Sequence, residues 1–440
     1  MVMFIKNLIW LYVTILIIII GIYFTFSLKY IQFDFKNMFK NLKQKNDKRS
    51  ISQLESLMIV LAGRIGVGSI SGVALAIYYG GPGTIFWMWI IGLLALPITF
   101  AETTLGSKYR EMDESNIYKG GPPYYIKKGL KKRKLAGVYA ILIIFSYIGG
   151  FLTIQSNTIT KSINYIISIN PLIIGSIITF ITYLIIKGGI KKIADFSTKI
   201  VPLMILLYII CATYIGIKNI DMLPTILKNI ITGAFNIKSG ISAFISMVLI
   251  GIERGIFSSE AGVGTGAIAS STSSVKYSAI QGYVQMIGVY VTTFLVCTST
   301  ALIILTSNYS SLSFNDLNGI ELAQYSFNYH LGPIGVIIMF ISICLFSFST
   351  ILSGYYDGES SLKYFSNNTK TKVQILKVIT LLVLFFGCII TSNLLWNFID
   401  LIVGVLALIN LYAVFILRND VNREYKKYKK SEKYEKYDIM

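Results

Sequence analysis

Histidine is all but missing from this chain: His330 is the one imidazole in 440 residues. A histidine-based catalytic set or a histidine-ligated metal has almost nothing to be built from, and His330 falls in a predicted loop with no partner set. Cysteine is scarce as well. Cys211, Cys297, Cys344 and Cys388 are widely spaced and each lies in an apolar run, so neither a thiolate metal site nor a disulfide framework fits. Acidic residues number only 21 against 40 Lys and Arg, and all charged residues together make up 14%. No long polar stretch separates the apolar runs, which argues against a string of soluble domains. A membrane enzyme is the least supported class, because no nucleophile–base pair is visible.

What the chain has instead is hydrophobicity, 54% of its residues. Apolar runs recur throughout and predict an all-α polytopic membrane protein with eleven spans, near 4–28, 54–79, 84–106, 135–160, 171–188, 199–217, 239–271, 278–306, 332–356, 373–392 and 394–417. The first run is long for a signal-peptide core and lacks a small-residue cleavage site, so it reads as a retained helix.

A formal charge of +19 raises the question of nucleic acid. The basic residues sit in short loops between apolar runs, however, and orienting the chain in a bilayer explains them without a nucleic-acid partner. Lys29, Lys36, Lys40, Lys43, Lys45, Lys48 and Arg49 follow the first span. Nine more lie between Lys108 and Lys134, and the tail beyond Arg418 is basic. Placing these in the cytoplasm puts the N-terminus outside and the weakly acidic loop with Asp316 and Glu321 outside too. The basic tail is expected to be solvated. The expected division is an extra helix (1–28), a cytoplasmic loop (29–53), a five-helix repeat (54–217), an extracellular loop (218–238), a second five-helix repeat (239–417) and the tail (418–440).

Two spans are broken by clustered glycines at matching positions. One reads Gly63-Arg64-Ile65-Gly66-Val67-Gly68-Ser69, the other Gly255-Ile256-Phe257-Ser258-Ser259-Glu260-Ala261-Gly262-Val263-Gly264. Each opens one five-span repeat, with opposite directions through the bilayer, the pattern of an inverted repeat whose broken helices hold substrate and ion. A break offers N–H groups to an anionic group and C=O groups to a hard cation, helped by hydroxyls such as Ser69, Ser258, Ser259 and the run Ser347, Ser349, Thr350, Ser353. Close helix packing is the competing use of the same small residues. Arg64, ten residues into its span, is expected to snorkel or to pair with Glu260 or Glu102, and Arg254 and Glu253 invite the same reading.

Longer motifs carry a family resemblance. Tyr79-Gly80-Gly81-Pro82-Gly83-Thr84, Phe100-Ala101-Glu102, Gly120-Gly121-Pro122-Pro123-Tyr124-Tyr125, Gln155-Ser156-Asn157, Arg254-Gly255-Ile256-Phe257-Ser258-Ser259-Glu260-Ala261-Gly262 and Phe346-Ser347-Phe348-Ser349-Thr350 run in order over nearly the whole chain. Together they resemble the alanine/glycine:cation symporters, also called sodium:alanine symporters. That resemblance implies the neurotransmitter:sodium symporter (LeuT-type) fold and import of a small neutral amino acid with Na⁺, in the plasma membrane. It further implies a Na⁺ site made by Ala62, Ile65, Ser349 and Thr350. The substrate would meet Val67, Gly68, Ser69, Gln155, Ser258, Ser259 and Gly354. The chain departs from the family at Val67, Ser69, Ser259, Thr265-Gly266-Ala267, Thr292 and Gly354. Several amide, acid and aromatic groups are thereby shortened, which predicts a roomier pocket and a substrate larger than alanine. An uncoupled or H⁺-coupled facilitator and a non-transporting sensor are the alternatives.

Overall fold

In lipid every backbone N–H and C=O must be paired within the chain, and apolar runs satisfy this as helices. The computed structural model describes residues 2–42, 51–113, 116–237, 240–309, 319–365, 370–390 and 392–437. Lys43, Lys45, Lys48, Arg49 and Asp316, used above for orientation, lie outside the described residues.

The first helices are α1 (Val2–Ser27), the short amphipathic α2 (Phe35–Leu42), α3 (Gln53–Arg64), α4 (Ser71–Gly80) and α5 (Gly83–Lys108). A two-residue hairpin follows, β1 (Glu111–Met112) antiparallel to β2 (Tyr118–Lys119), with Glu111 opposite Lys119. Then come α6 (Pro122–Lys128) and α7 (Arg133–Ile144), which continues through a π-helical stretch, Phe145–Phe151, into α8 (Leu152–Asn164). Next are α9 (Pro171–Ile186), α10 (Gly189–Lys218), α11 (Leu223–Ala234), α12 (Ile241–Ser259), α13 (Thr265–Ser270) and α14 (Ala279–Val289). A second π stretch, Tyr290–Cys297, leads into α15 (Thr298–Leu305), followed by α16 (Ile320–Lys363), α17 (Lys370–Gly387), α18 (Ser392–Ile416) and α19 (Arg418–Tyr437). Among the described residues eight helices are long and apolar enough to cross a membrane, nine if α3 and α4 count as one bent span. The two remaining expected spans correspond to α9, a shorter apolar helix of 16 residues, and to α17, which carries three lysines.

Three local features differ from the sequence expectation. The stretch 218–238 is not a plain loop but contains α11, amphipathic and packed on α5. The span expected from residue 332 is the second limb of α16, which bends at Gly332 (φ 62°, ψ −152°) beside Pro333. His330 therefore lies on the first limb, buried, with Nε2 near Thr306 Oγ1 (3.0 Å) and Ile303 O (3.2 Å).

The tail is not merely solvated. Tyr425 and Tyr428 of α19 are buried, and the helix rests on α5 and α14. Lys429 pairs with Asp34 (2.6 Å), and Lys108 and Tyr109 both reach Asp420 (2.7 and 2.6 Å). Burial alone would raise the Asp34 and Asp420 carboxyls. Hydrogen bonds from Lys429 and Asn37, and from Lys108 and Tyr109, outweigh it and hold both below the ordinary carboxylate value.

α5 is the centre of the assembly, packed by α1, α11, α12, α13 and α14. Bare glycine surfaces let these backbones approach, the usual device inside membranes. A Cβ on Gly251 would lie 2.7 Å from Thr84 O, one on Gly106 2.8 Å from Ala267 O, and one on Gly92 2.8 Å from Thr293 Cγ2. Gly251→Leu should accordingly destabilise the α5–α12 crossing by about 1–3 kcal/mol, as overpacking does. The expected result is a lower melting temperature in detergent, and an unchanged one would show that the crossing has slack.

Candidate substrate and cation site

The first break begins where α3 ends. Ile65 N–H still donates to Leu61 O (2.8 Å), but Ile65 and Gly66 leave helical geometry (ψ 67° and −161°). A single tight turn, Val67–Ser69, then feeds α4, and the two helices meet at 63°. The turn is held by Ser69 N–H to Gly66 O (3.1 Å) and Ile70 N–H to Val67 O (3.1 Å). Ser69 Oγ donates back to Arg64 O (3.2 Å), and Thr300 Oγ1 donates to Ser69 O (3.0 Å). The N–H groups of Val67 and Gly68 open this turn, the place where a helix start presents donors.

The freed carbonyls of α3 are met by α16. Thr350 Oγ1 lies 2.9 Å from Ala62 O and 3.4 Å from Gly63 O, and Ser349 Oγ lies 3.2 Å from Ala62 O. Each hydroxyl has one proton, and both also face Phe346 O (2.9 Å), so one proton cannot serve every neighbour at once. The expected partners Ala62, Ser349 and Thr350 thus come together. Neither hydroxyl donates to Ile65; the second carbonyl is that of Gly63. Gly66 has to be glycine here, because a Cβ would sit 2.5 Å from Thr350 Oγ1.

The second break runs from Glu260, at φ 50°, through Gly262 and Gly264 at φ 82° and 97°. Its backbone is satisfied by the surrounding helices. Gly262 N–H donates to Glu102 Oε2 (3.1 Å), Asn410 Nδ2 to Gly262 O (2.8 Å), and Tyr139 OH to Val263 O (2.5 Å). Glu260 accepts from Tyr147 OH (2.9 Å) and Thr265 Oγ1 (2.7 Å). The Ser258 and Ser259 hydroxyls donate to Gly255 O (3.0 Å) and Ile256 O (3.4 Å), so they serve their own helix.

The two breaks face each other across Phe257, whose ring would lie 3.2 Å from a Cβ on Gly68. Phe257 stacks on Phe151 (5.2 Å), which stacks on Tyr147 (4.6 Å). Gln155, one turn beyond Phe151, is buried with Oε1 unpartnered. The extra room expected at Gly354 is taken: a Cβ there would meet Leu152 Cδ1 at 2.9 Å and Tyr147 Cδ1 at 3.2 Å. Gly354 is a packing glycine against α8, and the enlarged pocket expected there does not form.

The intramembrane charges split in two. Arg254 Nη2 reaches Glu253 Oε1 (2.8 Å) and Asp400 Oδ2 (3.0 Å), and Lys6 of α1 joins them at 3.8 and 3.3 Å. Lys6 and Asp400 were not legible as partners, although a carboxylate inside an apolar run is itself a signal. Arg64, 2% exposed, makes no ion pair among the described residues. Its Nη1 donates to Gln285 O (3.1 Å), and its guanidinium fills the space left by Gly266 and Gly288. Glu102 and Glu260 act on it at longer range rather than as direct partners.

A polytopic helical protein with two facing helix breaks in its core has the architecture of a membrane transporter. Its fold is similar to that of the Eremococcus coleocola manganese transporter, at TM-score 0.52 and 12% identity, over 82% of this chain and 75% of that one. The profile of the sodium:alanine symporter family matches residues 1–440, and the chain belongs to that family. It is 35% identical to the Bacillus subtilis amino-acid carrier protein AlsT over 96% of this chain and 90% of AlsT. It is 37% identical to the probable sodium/glutamine symporter GlnT of the same organism over 92% and 84%. Family members of this kind are transporters, not enzymes.

Because the Lys6–Glu253–Arg254–Asp400 group is balanced, removing one member leaves a buried unpaired charge. Asp400→Asn should cost about 3–5 kcal/mol, and the double variant with Lys6→Met should recover most of it. Thermal unfolding in detergent of the single and double variants checks this; equal losses in both would contradict it.

Proposed function

We propose that this protein imports a small neutral amino acid together with Na⁺ by alternating access. In this reading the chain has eleven spans, with α1 as the extra helix, a five-span repeat opened by α3–α4 and a second opened by α12–α13. The N-terminus faces outward, the C-terminus faces the cytoplasm, and the membrane is the plasma membrane. Membership of a sodium:alanine symporter family supports amino-acid symport as the general activity.

The observation that carries the cation assignment is the convergence of Ser349 Oγ and Thr350 Oγ1 on Ala62 O and Gly63 O at the helix bend. Hard cations take such oxygen ligands. Two hydroxyls that can turn their lone pairs toward one another's neighbours, beside two carbonyls at a helix end, suit Na⁺. The substrate carboxylate would meet the Val67 and Gly68 N–H groups, and Gln155 would offer its unpartnered amide oxygen to the ammonium. Phe257 would close over the site from the second break. Tyr147 and Leu152 fill the space beside Gly354, which favours alanine or glycine over a larger side chain.

Thr350→Val keeps the shape and removes one oxygen. In proteoliposomes with an inward Na⁺ gradient its apparent Na⁺ affinity for driving alanine uptake should fall roughly tenfold or more, about 1.4 kcal/mol. Uptake with unchanged Na⁺ dependence would contradict the site, and uptake indifferent to Na⁺ in the wild type would favour an uncoupled facilitator.

A further inference from the structure

Charge is matched in one buried cluster and unmatched in the other. Lys6 and Arg254 stand against Glu253 and Asp400, two against two. Around the helix breaks, among the described residues outside that matched group, the buried carboxylates are Glu102, Glu260 and Asp357, at 0%, 6% and 3% exposure, and the buried cation is Arg64. Farther along α16, Glu359 is already paired with Lys363. Three carboxylates against one guanidinium would leave two uncompensated negative charges in the membrane interior, which is not tenable.

The three acids are not equivalent. Glu260 accepts hydrogen bonds on both oxygens, from Tyr147 and Thr265. Glu102 accepts two on Oε2, from Gly262 N–H and Asn410. Asp357 has no hydrogen-bond or ion-pair partner among the described residues, and its Oδ1 is fully enclosed. Among the described residues, the titratable groups that act on it electrostatically include Glu260 from the second break, Tyr139 from α7 and Tyr147 from the π stretch. On its own helix Tyr356 is adjacent. None of these is a cation, and Arg64 acts on Glu102 and Glu260 instead.

We propose that Asp357 is a proton-carrying site of this transporter, loaded as the neutral acid when the inner pathway is closed and releasing its proton to the cytoplasm when that pathway opens. The reading rests on the symport activity above. With Asp357 protonated, one negative charge remains uncompensated beside Arg64, Glu102 and Glu260, and one Na⁺ at the first break removes it. The first break adjoins this group of charges at Glu260: a Cβ on Gly63, whose carbonyl faces Thr350, would lie 3.7 Å from Glu260 Oε2. Na⁺ and H⁺ then enter together with the amino acid, and both leave on the cytoplasmic side.

The test uses the purified full chain in proteoliposomes holding a pH-sensitive dye, with an inward Na⁺ gradient and labelled alanine outside. Wild type should acidify the lumen as alanine enters, and uptake should rise as external pH is lowered. Asp357→Asn should abolish the acidification and flatten the pH profile, and Asp357→Glu should restore both. Alanine uptake by the wild type without acidification overturns the proposal and leaves Na⁺ symport standing; absence of Na⁺-driven uptake overturns the symport reading instead. A measurement independent of transport is the infrared difference spectrum of wild type against Asp357→Asn at neutral pH. A carboxylic-acid C=O band lost in the variant is expected, and identical spectra in that region overturn the assignment even where neither protein transports.

Discussion

A helix interrupted inside a bilayer leaves amides and carbonyls that only protein, water or cargo can satisfy. In this chain the interruption between Arg64 and Ser71 governs what surrounds it. The 63° bend turns α3 carbonyls toward α16, and α16 answers with Ser349 and Thr350 at the two positions that reach Ala62 and Gly63. The second break solves the same problem differently. Its backbone is capped by Glu102, Asn410 and Tyr139, all from other helices. One break is therefore tied to a helix through exchangeable hydroxyls, and the other is fastened by an acid, an amide and a phenol.

That asymmetry suits a machine in which one broken helix moves relative to a scaffold. α5 supplies the scaffold: glycines at 92, 106 and 251 bring backbones together along its length, and Glu102 extends from it to the second break. α1, the first helix, is tied to α12 and α18 through Lys6 and Asp400. On the opposite end α19 fastens α5 to the segment after α1 through Asp420 and Asp34. The first helix and the tail act as clamps on the scaffold.

Much of this was legible in the sequence, for physical reasons. Apolar run length predicts where helices cross, and glycine clusters predict where they fail. The helix breaks at Gly66 and at Gly262–Gly264 appear where those clusters stand. The pairing of Ser349 and Thr350 with Ala62 came with the family resemblance, since residues so far apart in sequence carry no local signal of contact. What was not legible depended on neighbours brought from elsewhere. Gly354 looked like vacated space until Tyr147 and Leu152 of another span took it. Arg64 looked like half of an ion pair, yet its guanidinium is accommodated by two glycines and a carbonyl. α11 was passed over because a short amphipathic helix between spans has neither the length nor the hydropathy of one.

Whether Na⁺ and a small amino acid share the first helix break would be read from a structure determined with both present. Cation density is expected among Ala62 O, Gly63 O, Ser349 Oγ and Thr350 Oγ1, with the amino-acid carboxylate on the Val67 and Gly68 amides beneath Phe257. Density for either cargo elsewhere in the protein, with those oxygens still bonded only to one another, would contradict it.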